Sequence, residues 1–208
     1  MGWMQDTISV GINERRDGIR IEILGSDRPN LIAFYTHLLD SGKLYVDSLA
    51  FHLRMGLESS VCRVPFFMEI LARGNEADLE AMVSILESPE IVEERQKATE
   101  AVCPPIDWRY GYSFFCRIRI PDRPGITADR AGIVGKPRLC REKWMDGSFV
   151  TVLAQTENSA GPLGGVPYFH LQFQVVTQES AVRDEIVSEI TRKFPRDNPG
   201  DLVEIITL

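Results

Sequence analysis

The chain has 208 residues, of which 44% are hydrophobic and 25% charged, so it can bury a substantial core and disorder is disfavoured. Its net charge is −7 and no Lys/Arg-rich run occurs, which disfavours binding to a nucleic-acid backbone. No stretch approaches ~18 apolar residues, and the N-terminus lacks a basic segment followed by an apolar run. We therefore expect a cytoplasmic protein without a membrane segment.

The first elements are a strand, a turn and a helix. Residues Ile19 to Leu24 alternate between apolar and polar side chains, which predicts a half-buried strand. The turn over residues 25–30 contains Pro29, which suits the first turn of a helix because it has no N–H to leave unpaired. Apolar residues at helical spacing follow, and Gly42 is predicted to take the left-handed position at the helix C-terminus.

The pattern continues with two strands and a second helix. Strands are predicted over residues 44–53 and 61–72, and a helix over residues 75–86. The order β, α, β, β, α needs one more strand to close a split βαβ sheet. The candidate is 91–102, whose many charges allow it equally to continue the helix, while Thr7 to Ile12 also reads as a short strand that could cover a sheet edge.

A Pro-rich segment then separates this unit from a second copy. Asp122-Arg123-Pro124 repeats Asp27-Arg28-Pro29 after 95 residues, again behind an alternating strand, here residues 113–120. We therefore predict two modules in tandem. The first covers residues 1–103 with an N-terminal extension, the linker 104–110, and the second 111–208 with insertions.

The second copy is longer than the first. Its later elements are predicted as strands over 149–156 and 168–177, a helix over 179–194 and a strand over 202–207. Pro137 should end its first helix early, leaving an unusual connection over 135–147. The Gly/Pro-rich residues between the central strands predict a long loop over 157–167.

The repeated turn has the chemistry to hold an amino acid. A helix N-terminus presents unpaired N–H groups that suit a carboxylate. An aspartate in the turn, Asp27 or Asp122, can accept hydrogen bonds from an α-ammonium group. The predicted amide donors are Asn30, Leu31 and Ile32 in the first copy and Gly125, Ile126 and Thr127 in the second. Ordinary helix capping explains the same residues, so both interpretations stay open.

Other chemistry is not indicated. The cysteines show neither CxxC spacing nor a cluster with histidine, so we predict reduced thiols, no metal site and no cofactor. No Ser/His/Asp or Cys/His spacing and no phosphate-binding glycine pattern stands out, so we predict that the protein is not an enzyme. The histidines, which we interpret as packed or surface residues, are His37, His52 and His170.

Residues 25–32, followed by Gly42 and by Val46-Asp47-Ser48-Leu49-Ala50, resemble the ACT domain. The tandem arrangement is similar to that of the glycine cleavage system transcriptional repressor family. This resemblance implies an α+β fold of two ferredoxin-like βαββαβ modules whose sheets pair. It also implies small effectors, usually amino acids, bound at module interfaces beside the Asp-Arg-Pro turn.

Carried over residue by residue, the effector-binding turn of the family falls on Asp27, Pro29, Asn30 and Leu31, and on Asp122, Pro124, Gly125 and Ile126. Asn30 stands where the family usually has glycine. Leu44 and Tyr45 are the nearest matches to an asparagine that in the family often contacts the effector.

The predicted function is a regulator that binds a small amino acid, with glycine or serine as the guess, and signals through protein contacts, most simply as a homodimer with a possible regulatory protein partner. Three alternatives stay open. One is a scaffold protein without a ligand. Another is an enzyme of one-carbon metabolism, because ACT-like modules also precede formyltetrahydrofolate hydrolase domains. The third is an RNA-binding module, although the strand around Phe66 and Phe67 lacks the basic residues such a module needs.

Overall fold

The structure is a computed structural model. It describes residues 7–26, 31–53, 65–91, 111–122, 126, 150–163, 166–177 and 179–208.

Eight strands form one antiparallel sheet in the order β1-β2-β4-β3-β6-β7-β5-β8. The strands are β1 (Thr7–Ile12), β2 (Gly18–Ser26), β3 (Tyr45–Leu53), β4 (Pro65–Arg73), β5 (Tyr112–Pro121), β6 (Val150–Leu163), β7 (Val166–Thr177) and β8 (Leu202–Thr207). The longer described helices are α1 (Leu31–Ser41), α2 (Glu76–Leu86) and α3 (Ser180–Lys193). We call β1–β4 with α1 and α2 module 1, and β5–β8 with α3 module 2.

Each module buries one face of its strands beneath its helices. In β2 the alternating residues Ile19, Ile21 and Ile23 are buried in the core of module 1, as the sequence pattern predicts. In β5 the equivalent positions include Cys116, which is buried in the core of module 2. The other cysteines, Cys62, Cys103 and Cys140, lie outside the described residues.

The two modules join edge to edge through β3 and β6, which pair from Ser48↔Asn158 to His52↔Ala154. Leu49 of module 1 pairs with Glu157, and Glu157 pairs in turn with Leu171 of module 2. Because paired residues of antiparallel strands point to the same face, the helices of both modules cover the same face of the sheet. The predicted α+β fold of two ferredoxin-like modules is thus confirmed.

The edge strand of module 1 differs from the favoured prediction. β1 pairs with β2 at the place where a βαββαβ module has its last strand, and its inward residues pack against the core. The N-terminal segment therefore supplies the fourth strand, as the alternative reading of Thr7 to Ile12 allowed. Ile91 is helical, and residues 92–102 and the predicted linker 104–110 lie outside the described residues.

The predicted loop over 157–167 is mostly strand. β6 continues to Leu163 and β7 starts at Val166, with Ala160 paired to Tyr168. The Gly and Pro residues that suggested a loop instead lie where the register shifts, between Ala160 and Leu163. The connection over 135–147 lies outside the described residues.

The end of α1 also corrects a prediction. Lys43, with φ 60°, takes the left-handed position that we assigned to Gly42, and the N–H of Leu44 closes the turn by donating to the Leu39 carbonyl. Gly42 instead packs against α2, where a Cβ would require the end of the Met82 side chain to shift. At the other helix start, Asn75 caps α2 by accepting from the Asp78 N–H at 2.9 Å.

An internal twofold relates the modules. β3 carries a bulge at Asp47, where its register with β4 shifts, and β6 carries the matching bulge at Leu153, where its register with β7 shifts. When the two modules are aligned on these bulges, Arg73 of β4 occupies the position equivalent to Val176 of β7. In the sequence, Asp27 comes directly after the end of β2, as Asp122 comes directly after the end of β5.

Ile70→Ala and Leu71→Ala test the assignment of sheet faces. These neighbours point to opposite faces of β4, with Ile70 0% and Leu71 38% exposed. Ile70→Ala should lower the free energy of unfolding by about 2–5 kcal/mol, because it leaves a cavity in the core. Leu71→Ala should cost about 1 kcal/mol or less. Equal losses in urea denaturation would contradict the assignment.

Candidate functional site

An open cleft of about 560 Å³ lies at one end of module 1. Its wall is built by the β1–β2 turn, the turn after α1, the start of β3 and the end of β4. The lining residues are Asn13, Asp17, Gly18, Lys43, Tyr45, Asp47, Arg73 and Gly74. Two cations and two carboxylates thus share one cleft, as the recognition of a zwitterion requires.

Tyr45, Asp47 and Arg73 form a contiguous polar cluster in this cleft, which we call the polar triad. The Arg73 Nε lies 3.0 Å from the Asp47 Oδ1, and its guanidinium carbon lies 4.6 Å from the centre of the Tyr45 ring. The ion pair and the cation–π contact hold the guanidinium between the two neighbouring side chains. The bulge at Asp47 turns that residue out of the regular ladder, and bulges commonly re-aim a side chain beside a functional site.

Asp122 of module 2 lies at the same end of the sheet as this cleft, although β6 and β7 separate β5 from β3. It follows β5 directly, and its N–H donates to the Pro167 carbonyl at 2.9 Å. Burial raises the pKa of the Asp47 carboxyl, Arg73 opposes that rise, and the carboxylate of Asp122 adds to it. Two carboxylates from different modules therefore interact here.

The remaining wall of the cleft comes from two turns. Asn13 braces the β1–β2 turn, because its side-chain amide donates to Asp17 at 2.7 Å and its oxygen accepts from the Asp17 N–H at 3.1 Å. Lys43 belongs to the turn after α1. Within the described ranges, no hydrogen bond or ion pair engages the Lys43 ammonium. A cation is thus available at the rim.

The predicted turn residues are only partly within the described ranges. Asp122 lies near the cleft. Leu31 and Ile32 are the first two residues of α1 and Ile126 is helical, and their buried side chains leave only backbone groups for a ligand. The other predicted residues lie outside the described residues, namely Asp27, Pro29, Asn30, Pro124, Gly125 and Thr127.

Sequence reasoning missed most residues of the cleft. Tyr45 stood out only as a departure from the family, and Asp47 only as part of the resemblance. Arg73 and Asp17 gave no local signal, because the strand register that brings them together joins distant parts of the chain. The alternation of β4 could have placed Arg73 on the face opposite Ile70, but it could not have predicted which side chains Arg73 contacts.

None of the three histidines lines this cleft. His37 and His52 are exposed, as expected for surface residues. His170 is half-buried, and its Nε2 makes no hydrogen bond within the described part of the chain. Burial and the neighbouring Arg119 lower the pKa of its imidazole. The described residues hold no group of three or more His, Cys, Asp or Glu that could bind a metal ion.

None of the described helices is long and apolar enough to cross a membrane.

No protein-family model and no curated protein matches the chain. Solved structures do. Aspartate kinase from Synechocystis superposes with a TM-score of 0.51 and 14% identity over 92% of this chain, which spans 29% of the kinase chain. An unknown protein from Galdieria sulphuraria superposes with a TM-score of 0.35 and 13% identity, over 92% of this chain and 98% of that chain. A "putative glycine cleavage system transcriptional repressor" superposes with a TM-score of 0.33 and 10% identity, over 92% of this chain and 97% of that chain.

These identities are too low to carry a function, and only the first superposition is good enough to support a fold. The resemblance to tandem ACT modules is confirmed as a likeness of fold. Since the chain spans 29% of the kinase, the catalytic activity of that protein is not carried over.

Asp47→Asn tests the electrostatics of the cleft. An aspartate whose pKa is raised in the folded state stabilises the protein fully below its unfolded pKa of about 3.9, and loses that contribution as pH rises through the folded pKa. The melting midpoint of the parent protein should therefore fall relative to that of Asp47→Asn as pH rises from ~3.5 to 7, because the other titrating groups are common to both proteins. An unchanged pH profile would contradict the assigned shift.

Proposed function

We propose that the protein is a non-catalytic, cytoplasmic regulator that binds a small amino acid where the Asp122 turn of module 2 faces the polar triad of module 1. The single observation that carries this proposal is that cations and a carboxylate line one cleft, where the Arg73 Nε lies 3.0 Å from the Asp47 Oδ1 and Lys43 lies at the rim. An effector bound there contacts both modules, so its binding energy can act on how they pair.

The charges of the cleft suit both ends of an amino acid. Lys43 and Arg73 supply cations for the α-carboxylate, and Arg73 can offer two parallel N–H groups to it. Asp47 and Asp122 supply carboxylates for the α-ammonium, whose positive charge relieves their mutual repulsion. Backbone N–H groups at the Gly125–Thr127 helix start would add donors for the carboxylate, as the sequence predicts. Glycine and serine remain the first candidates.

We propose a regulator in preference to an enzyme because the cleft holds ion-pairing groups, and the one histidine whose pKa shifts has Arg119 and Asn158 as its partners on neighbouring strands. A one-carbon enzyme would instead need a base directed at its substrate. A scaffold without a ligand would need the same sheet, but it would not need the charged groups of the cleft.

Thermal melts with each of the twenty amino acids test the proposal. A ligand at ~100 times its dissociation constant stabilises the folded state by roughly 2.7 kcal/mol, which raises the melting midpoint by several degrees. Asp122→Asn should abolish the shift. Asp40→Asn, an exposed carboxylate on α1, is the control and should keep it. If no amino acid raises the midpoint, the scaffold function is favoured.

The helix-free face of the sheet supports a homodimer. Leu24, Leu71 and Ile206 are exposed on strands β2, β4 and β8, and each pairs with residues of that face. The charged side chains of this face form ion pairs within each module, Arg20 with Glu22 and Glu69 in module 1 and Arg117 with Glu204 in module 2. The exposed apolar side chains among them are what a second copy, related by a twofold axis, would bury.

Leu71→Glu tests the homodimer. It adds charge to the helix-free face, so self-association measured by light scattering after size exclusion should weaken. Ile85→Glu is a matched control on α2, because Ile85 is 37% exposed and lies on the helical side. A dimer that survives Leu71→Glu as well as Ile85→Glu would exclude this face as the interface.

A further inference from the structure

The internal twofold generates two places where an effector could bind. One is the end of the sheet where β3 starts and β4 and β5 end, which holds Asp47 and Asp122. The other is the opposite end, where β6 starts and β2 and β7 end. A chain with two equal modules would be expected to offer two equal sites.

The residues at the two ends are not equal. The bulge residue is Asp47 at one end and Leu153 at the other, and the arginine that pairs with Asp47 corresponds to Val176. Tyr45 likewise corresponds to Thr151. Every charged member of the polar triad is therefore absent from the equivalent positions.

Val176 also contributes to the contact between the two modules. Its side chain is 2% exposed and, although β7 belongs to module 2, it packs into the hydrophobic core of module 1. Its neighbour Val175 belongs to the core of module 2, so successive residues of β7 serve different modules. At this end an apolar side chain fills the position that Arg73 takes at the cleft, and it secures the contact between the modules.

We propose that the chain binds one effector molecule, at the polar triad, and that the Val176 end is a permanently closed apolar contact. Burying an effector's charges against Val176 would leave them unpaired, which costs far more than an apolar contact gains. The open end then responds to the effector while the closed end acts as a fixed pivot. This inference rests on the proposed function, since it assigns the stoichiometry and the residues of the same site.

Isothermal titration of the full chain tests the inference, with glycine, L-serine and any other amino acid that raises the melting midpoint as the titrants. The expected stoichiometry is one per chain. Arg73→Gln and Asp47→Asn should each weaken binding by about tenfold or more, because each leaves a partner of the ion pair without its countercharge. Circular dichroism and the melting midpoint of each variant report whether it is folded.

Arg20→Gln is the matched control. Its side chain is 59% exposed, as is that of Arg73, and it too forms ion pairs on the sheet, with Glu22 and Glu69, away from the cleft. It should bind like the parent. A stoichiometry of two, or binding that Arg73→Gln weakens no more than Arg20→Gln, would overturn the single site while leaving amino-acid binding intact. Failure of every amino acid to bind would overturn the proposed function and this inference with it.

Discussion

The pairing of β3 with β6 is the constraint on which the rest of the structure depends. It joins two four-stranded sheets into one, places all the described helices on one face and creates the internal twofold. Without this ladder, the Asp122 carboxylate would have no reason to lie within electrostatic reach of Asp47.

The twofold is broken by a few side chains, and the break has a physical meaning. Charged groups that face each other across a junction can be separated and rehydrated at modest cost, whereas an apolar contact resists opening because it would expose buried surface to water. The Asp47 end and the Val176 end therefore differ in how easily they open. In this arrangement the Asp47 end can respond to an effector, while the Val176 end stabilises the contact between the modules.

Much of the fold could be predicted from the sequence, because the signals are local. The alternation of Ile19, Ile21 and Ile23 fixed the inward face of β2, and the recurrence of Asp-Arg-Pro indicated the tandem arrangement. The failures came where tertiary pairing overrides local preference. Gly161 and Pro162 resemble loop residues but lie in the long β6–β7 hairpin, and β1 holds an edge that a downstream strand was expected to fill.

The candidate site was less predictable. The Asp122 turn was predicted because helix-start chemistry is readable over six residues. The polar triad was not, because Tyr45 and Arg73 come together only through the register of β3 with β4. The polar end differs from the apolar end at a few equivalent positions, such as Asp47 and Leu153. Single substitutions of this kind do not change the periodicity of the sequence, so the pattern could not reveal which end is polar.

A crystal structure of the chain grown with a saturating amino acid that raises its melting midpoint tests the account most directly. We expect density for one molecule per chain, with its carboxylate on Arg73 and its ammonium between Asp47 and Asp122. Density at the Val176 end, or modules joined other than through β3 and β6, would contradict it.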